Sequence, residues 1–254
     1  MNVAVCVKQI PDPATPGKLD PATNTLVREG KLILDDSDAY GVEMALQLVD
    51  KAGGGEVTLV SMAPNSEVSG LRTGLAMGAA KAILVSDDSL KGADALTTAK
   101  VLAAAIQRAN PDLVLAATES TDGYTGTTPV QVAEFLGLPA VTFAKHVEVD
   151  GSTVKVNRQT EAGYDEVECP LPALVTVTAG VVEPRYPSFK GIMAAKGKPV
   201  EELKAGDLGV DLGAVGQEIV EVAPAEERQA GEIVQDEGDA HERIVRFLEE
   251  LKVI

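Results

Sequence analysis

Several residue types are scarce in this 254-residue chain, and each scarcity excludes a class of function. It contains two cysteines, two histidines, four phenylalanines, four tyrosines and no tryptophan. Cys6 and Cys169 form no CxxC pair, and His146 and His241 complete no familiar zinc spacing with them, so we expect no metal site. Neither histidine has a neighbouring Ser or Cys nucleophile in a recognisable arrangement, and we therefore expect no catalytic residue.

Basic residues and long apolar runs are also in short supply. The chain has 22 Lys and Arg against 39 Asp and Glu, which gives a net charge of −17. That charge argues against a nucleic-acid partner and against an anionic membrane surface, because both require a basic footprint. No apolar run approaches the ~20 residues of a membrane span, and no secretory signal is recognisable. We expect a soluble cytoplasmic protein with reduced thiols and no membrane insertion.

The pattern that is present alternates short apolar strands with helices. Strands are predicted at residues 3–7, 57–61, 82–85 and 112–116, a hairpin at 25–34 turning at Glu29-Gly30, and helices at about 37–49, 66–77, 94–109 and 129–136. Ser37 is the expected cap of the first helix. Strands separated by helices indicate βαβ units in a doubly wound, mostly parallel, Rossmann-like α/β sheet. Such sheets bind ligands beyond the carboxyl ends of their strands.

The second half of the chain has a different pattern. Residues 142–149, 153–159 and 165–168 alternate with period two, which predicts an antiparallel annex to the same sheet, and residues 174–178 predict one more buried strand. We expect residues 1–204 to form one nucleotide-binding domain. Residues 205–254 carry thirteen acidic and four basic side chains and show no helical period before about residue 240. They predict an extended C-terminal arm that lies on a partner and ends in a short helix at 240–251.

The polar loop (residues 117–128) is the strongest candidate for a ligand site. It follows the strand at 112–116, contains Gly123 and Gly126, and ends at Thr128 before Pro129, where an N-cap followed by proline begins a helix. Free N–H groups at a helix N-terminus bind anions, so the loop predicts a bound phosphate. It contains no lysine, which favours nucleotide binding without phosphoryl transfer. A polar connection before a well-capped helix is the alternative. Residues 35–38 fit either a pocket wall or ordinary helix capping.

The docking segment (residues 183–199) combines apolar and basic side chains in an acidic chain. Phe189, Ile192 and Met193 stand among Arg185 and several lysines, between prolines. An aromatic anchor with a charged rim is typical of a protein-docking surface. The alternative is an ordinary loop whose Phe189 folds back into the core.

These motifs resemble the β subunit of electron transfer flavoprotein along nearly the whole chain. The resemblance is carried by Glu183-Pro-Arg-Tyr186 and Ile192-Met-Ala-Ala-Lys196, with support from Val5-Cys-Val-Lys8, Leu75-Ala-Met-Gly-Ala79, Thr121-Asp-Gly-Tyr-Thr-Gly126 and Gly206-Asp-Leu-Gly-Val210. It implies a heterodimer with an α subunit that holds most of the redox FAD, while β binds a structural AMP. Acyl-CoA and related dehydrogenases would be the electron donors, and a quinone oxidoreductase of the respiratory chain would be the acceptor. The subunit would then be an electron carrier and not itself an enzyme.

The resemblance also assigns site residues, by position. For AMP they are Cys6, Asp35, Asp36, Ser37, Asp38, Met62, Ala117, Thr118, Glu119, Ser120, Thr121, Asp122, Gly123, Tyr124, Thr125, Gly126, Thr127 and Thr128. For partner docking they are Arg185, Tyr186, Phe189, Lys190, Ile192 and Met193. The arm from residue 205 would embrace the α subunit.

Two other functions stay open. Some members of the resembled family bind a second FAD in place of AMP and bifurcate electrons, but their loop usually reads Asp-Thr-Ala-Gln-Val-Gly, which the Tyr-Thr-Gly-Thr-Thr sequence at 124–128 does not match. An adenine-nucleotide enzyme or sensor of the same α/β architecture is the other alternative.

Overall fold

A computed structural model describes all residues except 29, 64, 214–215, 218, 224–230 and 232. These residues divide into two compact units, Met1–Ile219 and Val220–Ile254. The strands are β1 Val3–Cys6, β2 Gln9–Ile10, β3 Ile33–Leu34, β4 Val57–Ala63, β5 Lys81–Ser86, β6 Leu113–Ala117, β7 Ala140–Asp150, β8 Thr153–Thr160, β9 Gly163–Pro170, β10 Ala173–Val177 and β11 Val200–Leu203. The helices are α1 Asp36–Lys51, α2 Ser69–Met77, α3 Ala95–Ala109, α4 Thr128–Leu136, α5 Phe189–Ala195 and α6 Ala240–Glu250.

Within the described residues, nine strands form one sheet in the order β11-β5-β4-β1-β6-β10-β7-β8-β9. Neighbours are parallel from β11 to β7, while β8 and β9 add an antiparallel meander to the edge at β7. The predicted doubly wound sheet and its antiparallel annex are thus confirmed. The pair β2–β3 makes a small antiparallel sheet beside it.

The burial of each strand follows from its sequence. The apolar strands β4, β5, β6 and β10 are buried almost throughout, because helices cover both faces of a parallel sheet. One core lies under α1, α2 and α5, and a second lies under α3 and α4. The annex strands alternate buried and exposed positions, as expected for a sheet with one solvated face.

Several predicted boundaries are wrong in their details. The N-cap of α1 is Asp35, not Ser37, and the helix α4 begins at Thr128 after Thr127 rather than being capped by Thr128. In the first case the Asp35 carboxylate accepts the Ser37 N–H, which places Asp35 in the capping position and Ser37 within the first turn. The helix α2 begins three residues later than predicted, at Ser69, where the Glu67 carboxylate accepts the Ser69 N–H.

The predicted hairpin at 25–34 is also wrong. Its first half pairs with an earlier segment through Leu26 and Leu19, and its second half pairs as β3 with β2. Among the described residues of this segment, the two halves therefore do not pair with each other. Glu29, at the predicted turn, lies outside the described residues.

Candidate functional site

The polar loop lies where the order of the sheet reverses. From β1 the chain proceeds through β4 to β5 with α1 and α2 on one face, then returns through α3, on the other face, to β6 beside β1. The carboxyl ends of β1 and β6 are adjacent, and α1 and α4 begin on opposite faces beyond them. A crevice at such a reversal is the usual ligand position in an open α/β sheet.

Asp35 ties the start of α1 to the polar loop. Its carboxylate is fully buried and caps α1 by accepting the Ser37 N–H at 3.0 Å and the Ser37 hydroxyl at 2.7 Å. The other carboxylate oxygen accepts the Thr121 N–H at 2.7 Å and lies 3.1 Å from the Thr121 hydroxyl. The capping interpretation of residues 35–38 is therefore correct for Asp35, and the same carboxylate also shapes the loop.

The buried Asp38 and the partly buried Cys6 both lie at the end of β1. The Asp38 carboxylate accepts the Lys8 N–H at 2.6 Å, which fixes the turn after the strand. Burial, reinforced by the nearby Asp35, raises the pKa of Asp38 well above its usual range despite its backbone hydrogen bonds. Removal from water and the adjacent Asp38 raise the pKa of the Cys6 thiol to about 12, so this thiol stays protonated.

Two cations reach the polar loop from outside it. Lys8 Nζ donates to the Asp122 carboxylate at 2.6 Å and to the Ser120 hydroxyl at 3.1 Å, and Arg28 Nη2 donates to Asp122 at 2.7 Å. The side chain of Asp122 is only 6% exposed. Burial alone would raise the pKa of Asp122, but the hydrogen bonds and charges of Lys8 and Arg28 outweigh it and lower the pKa.

Neither cation was predicted from the sequence. The loop itself contains no lysine, but the folded chain brings Lys8 and Arg28 to it from outside. Lys8 lies two residues after the end of β1, so the rule that the carboxyl ends of parallel strands meet at one edge of the sheet could have indicated its position. Arg28 lies in an irregular segment, and no pattern in the sequence pointed to it.

The shape of the loop leaves polar groups facing outward. The Tyr124 N–H donates to the Ser120 carbonyl at 3.0 Å, closing a turn with Tyr124 at φ 47° and Gly126 at φ 68°. Left-handed backbone suits Gly126 and is uncommon for tyrosine. Thr125 and Thr127 are exposed at the loop surface, next to the first turn of α4. The arrangement can offer hydroxyls and helix N–H groups to an anion.

The remaining predicted nucleotide residues surround this crevice. Cys6 and Met62 pack on the core under α3 and α4, and Ala117 is buried at the end of β6. Thr118 donates its hydroxyl to the Val177 carbonyl at 3.2 Å, and the Glu119 carbonyl lies 3.2 Å from the Ser37 hydroxyl. The fold thus brings the end of β1, the start of α1, the end of β4 and the polar loop to one edge of the sheet.

A cavity of about 590 Å³ lies at the opposite edge of the sheet, beside Met1, Asn110 and Pro172. Its charged lining residues, Lys51 and Asp112, are both exposed. We therefore place the candidate site at the carboxyl edge, where buried carboxylates and paired cations shape the loop.

The docking segment is bound to α1 through Arg185, and the residues that follow Arg185 include exposed aromatic side chains. Arg185 donates two hydrogen bonds, of 2.6 and 3.0 Å, to the buried Glu43 carboxylate of α1. Burial opposes ionisation of Glu43, but the Arg185 hydrogen bonds prevail and lower the pKa of Glu43. Beyond this pair, Tyr186 is 93% and Phe189 80% exposed, and Lys190 is exposed beside them. Phe189 does not fold into the core, so that alternative is wrong.

The fold and this edge define a protein of the doubly wound α/β class. A family model described as electron transfer flavoprotein domain matches residues 23–208. The electron transfer flavoprotein subunit beta of Mycobacterium leprae is 38% identical over 100% of this chain and 99% of its own. That of Thermoanaerobacterium thermosaccharolyticum is 38% identical over 99% and 98%. The caffeyl-CoA reductase-Etf complex subunit CarD of Acetobacterium woodii is 39% identical over 85% and 83%.

The chain therefore belongs to the electron transfer flavoprotein family, among its β subunits. The resemblance inferred from the motifs is confirmed. Among the described residues, no helix is both long and apolar enough to cross a membrane.

Proposed function

We propose that this chain is the β subunit of a heterodimeric electron transfer flavoprotein that binds AMP as a structural nucleotide. The observation that carries this proposal is the polar loop at the sheet reversal, with Lys8 beside it and the start of α4 behind it. A phosphate there would meet loop N–H groups, exposed threonine hydroxyls and the Lys8 ammonium.

The residues of this edge fit an adenylate. Cys6 and Met62 offer an apolar surface against the core under α3 and α4, suited to an adenine ring. Gly126 has the left-handed conformation that lets the backbone approach a ligand closely. The protonated Cys6 thiol is not a nucleophile, which agrees with holding a nucleotide and not reacting with it.

FAD, held mainly by the α subunit, would supply the redox chemistry when it is bound. This chain would contribute the scaffold and the surface on which an electron donor docks. Phe189 and its exposed neighbours would enter an apolar pocket of an acyl-CoA or related dehydrogenase, with Lys190 at the rim. Electrons would then pass to a quinone oxidoreductase of the respiratory chain. The cytoplasmic location stays a prediction.

The test is the nucleotide content of the co-expressed α–β pair. Mass spectrometry of the released cofactors should give one FAD and one AMP per heterodimer. Two FAD and no AMP would overturn the structural-AMP assignment. In that case the second candidate function holds, a bifurcating β subunit with its own FAD. The similarity to a subunit of a caffeyl-CoA reductase-Etf complex keeps this second candidate in view.

An adenine-nucleotide enzyme or sensor is the remaining alternative. It requires the isolated chain to turn over ATP or to exchange its nucleotide rapidly. A pair that retains AMP through extended dialysis and releases no phosphate from ATP would exclude it. Among the described residues no group of three or more His, Cys, Asp or Glu could hold a metal ion.

We also propose that residues 205–254 form an arm that embraces the α subunit. In the second unit, the helix α6 exposes Ile244, Val245 and Phe247, and among its described residues none is buried. Part of the predicted arm, residues 214–215, 218, 224–230 and 232, lies outside the described residues. Truncation after Lys204 should abolish co-purification of α, and full recovery of α with the truncated chain would contradict the proposal.

A further inference from the structure

The helix α5 touches the helix α2 backbone to backbone. A Cβ built on Gly191 would lie 2.4 Å from the Ala76 carbonyl oxygen of α2, a separation that no real side chain tolerates. Only glycine permits this approach without moving one of the helices. The close contact fixes the distance between α5 and the body of the domain.

Two cations cross between these helices in opposite directions. Arg72 of α2 donates to the Ala195 and Lys198 carbonyls at the end of α5, at 2.7 Å each. Lys198 Nζ donates to the Leu75 and Ala79 carbonyls at the end of α2, at 2.8 and 2.6 Å. The last carbonyls of a helix have no intrahelical donor; Arg72 supplies a donor to the Ala195 carbonyl of α5, and Lys198, in the segment just after α5, supplies one to the Leu75 carbonyl of α2. Gly191 near the start of α5 lies against Ala76 near the end of α2, and Ala195 at the end of α5 lies against Arg72 in the first half of α2, so the two helices run antiparallel.

The face of α5 that these contacts leave free is apolar. Ile192 is 47% and Met193 52% exposed, next to the exposed Phe189, whereas Ala195 is buried against α2. A helix of seven residues is unstable alone, because nucleating it costs more than its few hydrogen bonds return. The orientation of the exposed face is thus imposed by α2.

We propose that Gly191, Arg72 and Lys198 are positioning residues that fix the orientation in which α5 presents Phe189, Ile192 and Met193 to the partner dehydrogenase. This inference rests on the proposed docking role of α5. Because α5 already has its bound orientation in the free protein, association does not lose the conformational entropy of ordering this segment. None of the three residues needs to touch the partner.

The first test uses Arg72→Ala in the α–β pair, assayed with an acyl-CoA dehydrogenase that reduces the wild-type pair. Loss of two hydrogen bonds from a charged donor should raise the KM of the dehydrogenase for the α–β pair about tenfold and leave kcat unchanged. FAD and AMP content should be unchanged, hydrogen exchange of α5 should accelerate, and Arg72→Lys should restore part of the affinity. Arg108→Ala is the matched control, because Arg108 makes an exposed 2.6 Å ion pair with Glu201 away from α5.

A second variant, Gly191→Ala, keeps all donors and only forces α5 away from α2. It should raise the KM as Arg72→Ala does. Combining Arg72→Ala with Phe189→Ala should give less than the product of the two single effects, since both act through one surface.

The outcomes separate the two proposals. If Phe189→Ala leaves the KM unchanged, the docking role itself fails. If Phe189→Ala raises the KM while Arg72→Ala and Gly191→Ala change neither the KM nor the exchange of α5, the positioning inference fails alone. A loss of cofactor in Arg72→Ala would also overturn it, because the residue would then support the whole fold.

Discussion

The polar loop is held by two carboxylates with buried side chains, whereas the large apolar side chains of α5 are exposed. Asp35 and Asp122 are buried and accept several donors each, so the loop is shaped by carboxylates with satisfied hydrogen bonds. The helix α5 is held from behind by a glycine contact and exchanged caps. Changes in the loop should therefore alter stability and nucleotide content, and changes on the face of α5 should alter partner affinity alone.

The largest effect is expected from Asp35→Ala. It removes the buried acceptor shared by the Ser37 and Thr121 groups, and loss of these part-buried, charge-assisted hydrogen bonds should cost about 4 kcal/mol of unfolding free energy and release AMP. Urea unfolding of the full chain and cofactor analysis of the pair measure both effects. Asp94→Ala is the matched control, since Asp94 caps α3 in a more exposed position and should cost about 1 kcal/mol with AMP retained. Equal losses in the two variants would contradict a special role for Asp35.

The next effect is expected from Phe189→Ala, on the other side of the comparison. Removing an interface anchor typically costs about 2 kcal/mol of binding, so the KM for the pair should rise about thirtyfold with an acyl-CoA dehydrogenase. Because Phe189 is 80% exposed, the unfolding free energy should hardly change. Steady-state kinetics at limiting pair concentration provide the measurement, and an unchanged KM removes the anchor role.

A smaller effect is expected from Gly126→Ala, compared with Gly137→Ala at the far end of α4. Both glycines have similar positive φ, 68° and 65°, so both variants should lose about 1 kcal/mol of stability from backbone strain. A Cβ on Gly126 would also come within 3.2 Å of the Glu119 carboxylate, while one on Gly137 meets open space. Only Gly126→Ala should lower AMP content, and a matching loss in Gly137→Ala would show that the loop is not specifically involved.

The smallest effect concerns pH and Asp38. The folded state raises the pKa of this carboxyl, so its neutral form is favoured by folding. The contribution of this pKa shift to the unfolding free energy is fully present at pH values below the unfolded-state pKa of about 4. It is lost as the pH rises through the higher folded-state pKa. The unfolding free energy of the wild type relative to Asp38→Asn should therefore fall with rising pH across that window. A pH-independent difference between the two chains would show that Asp38 titrates normally.

Much of the fold could be predicted because the apolar periods are local. Predicted strands such as 57–61 and 82–85 lie within β4 and β5, and the helix predicted at 94–109 is α3 with Asp94 as its cap. The strand at 174–178 was predicted, but its insertion as β10 between β6 and β7 was not. Pairing across the sheet depends on contacts that are distant in sequence, and no local pattern encodes them.

The candidate site likewise has one part that could be predicted from the sequence and one part that could not. The glycines and hydroxyls of residues 117–128 marked the loop in the sequence, because turn residues and helix caps act over a few neighbours. The pairing of Asp122 with Lys8 and Arg28 could not be read locally, since the partners are about a hundred residues away.

The sequence alone determined most strands of the large sheet, most of the helices, the family and the segments that carry the proposed nucleotide and docking roles. These properties depend on residue order within short windows and on motifs. Only the tertiary structure decided that Lys8 contacts the polar loop, that Arg185 pairs with Glu43, and that α5 packs on α2 with Phe189 exposed. Each of these is a contact between distant segments, and such contacts are fixed when the sheet brings the ends of its strands and the helices on its face together.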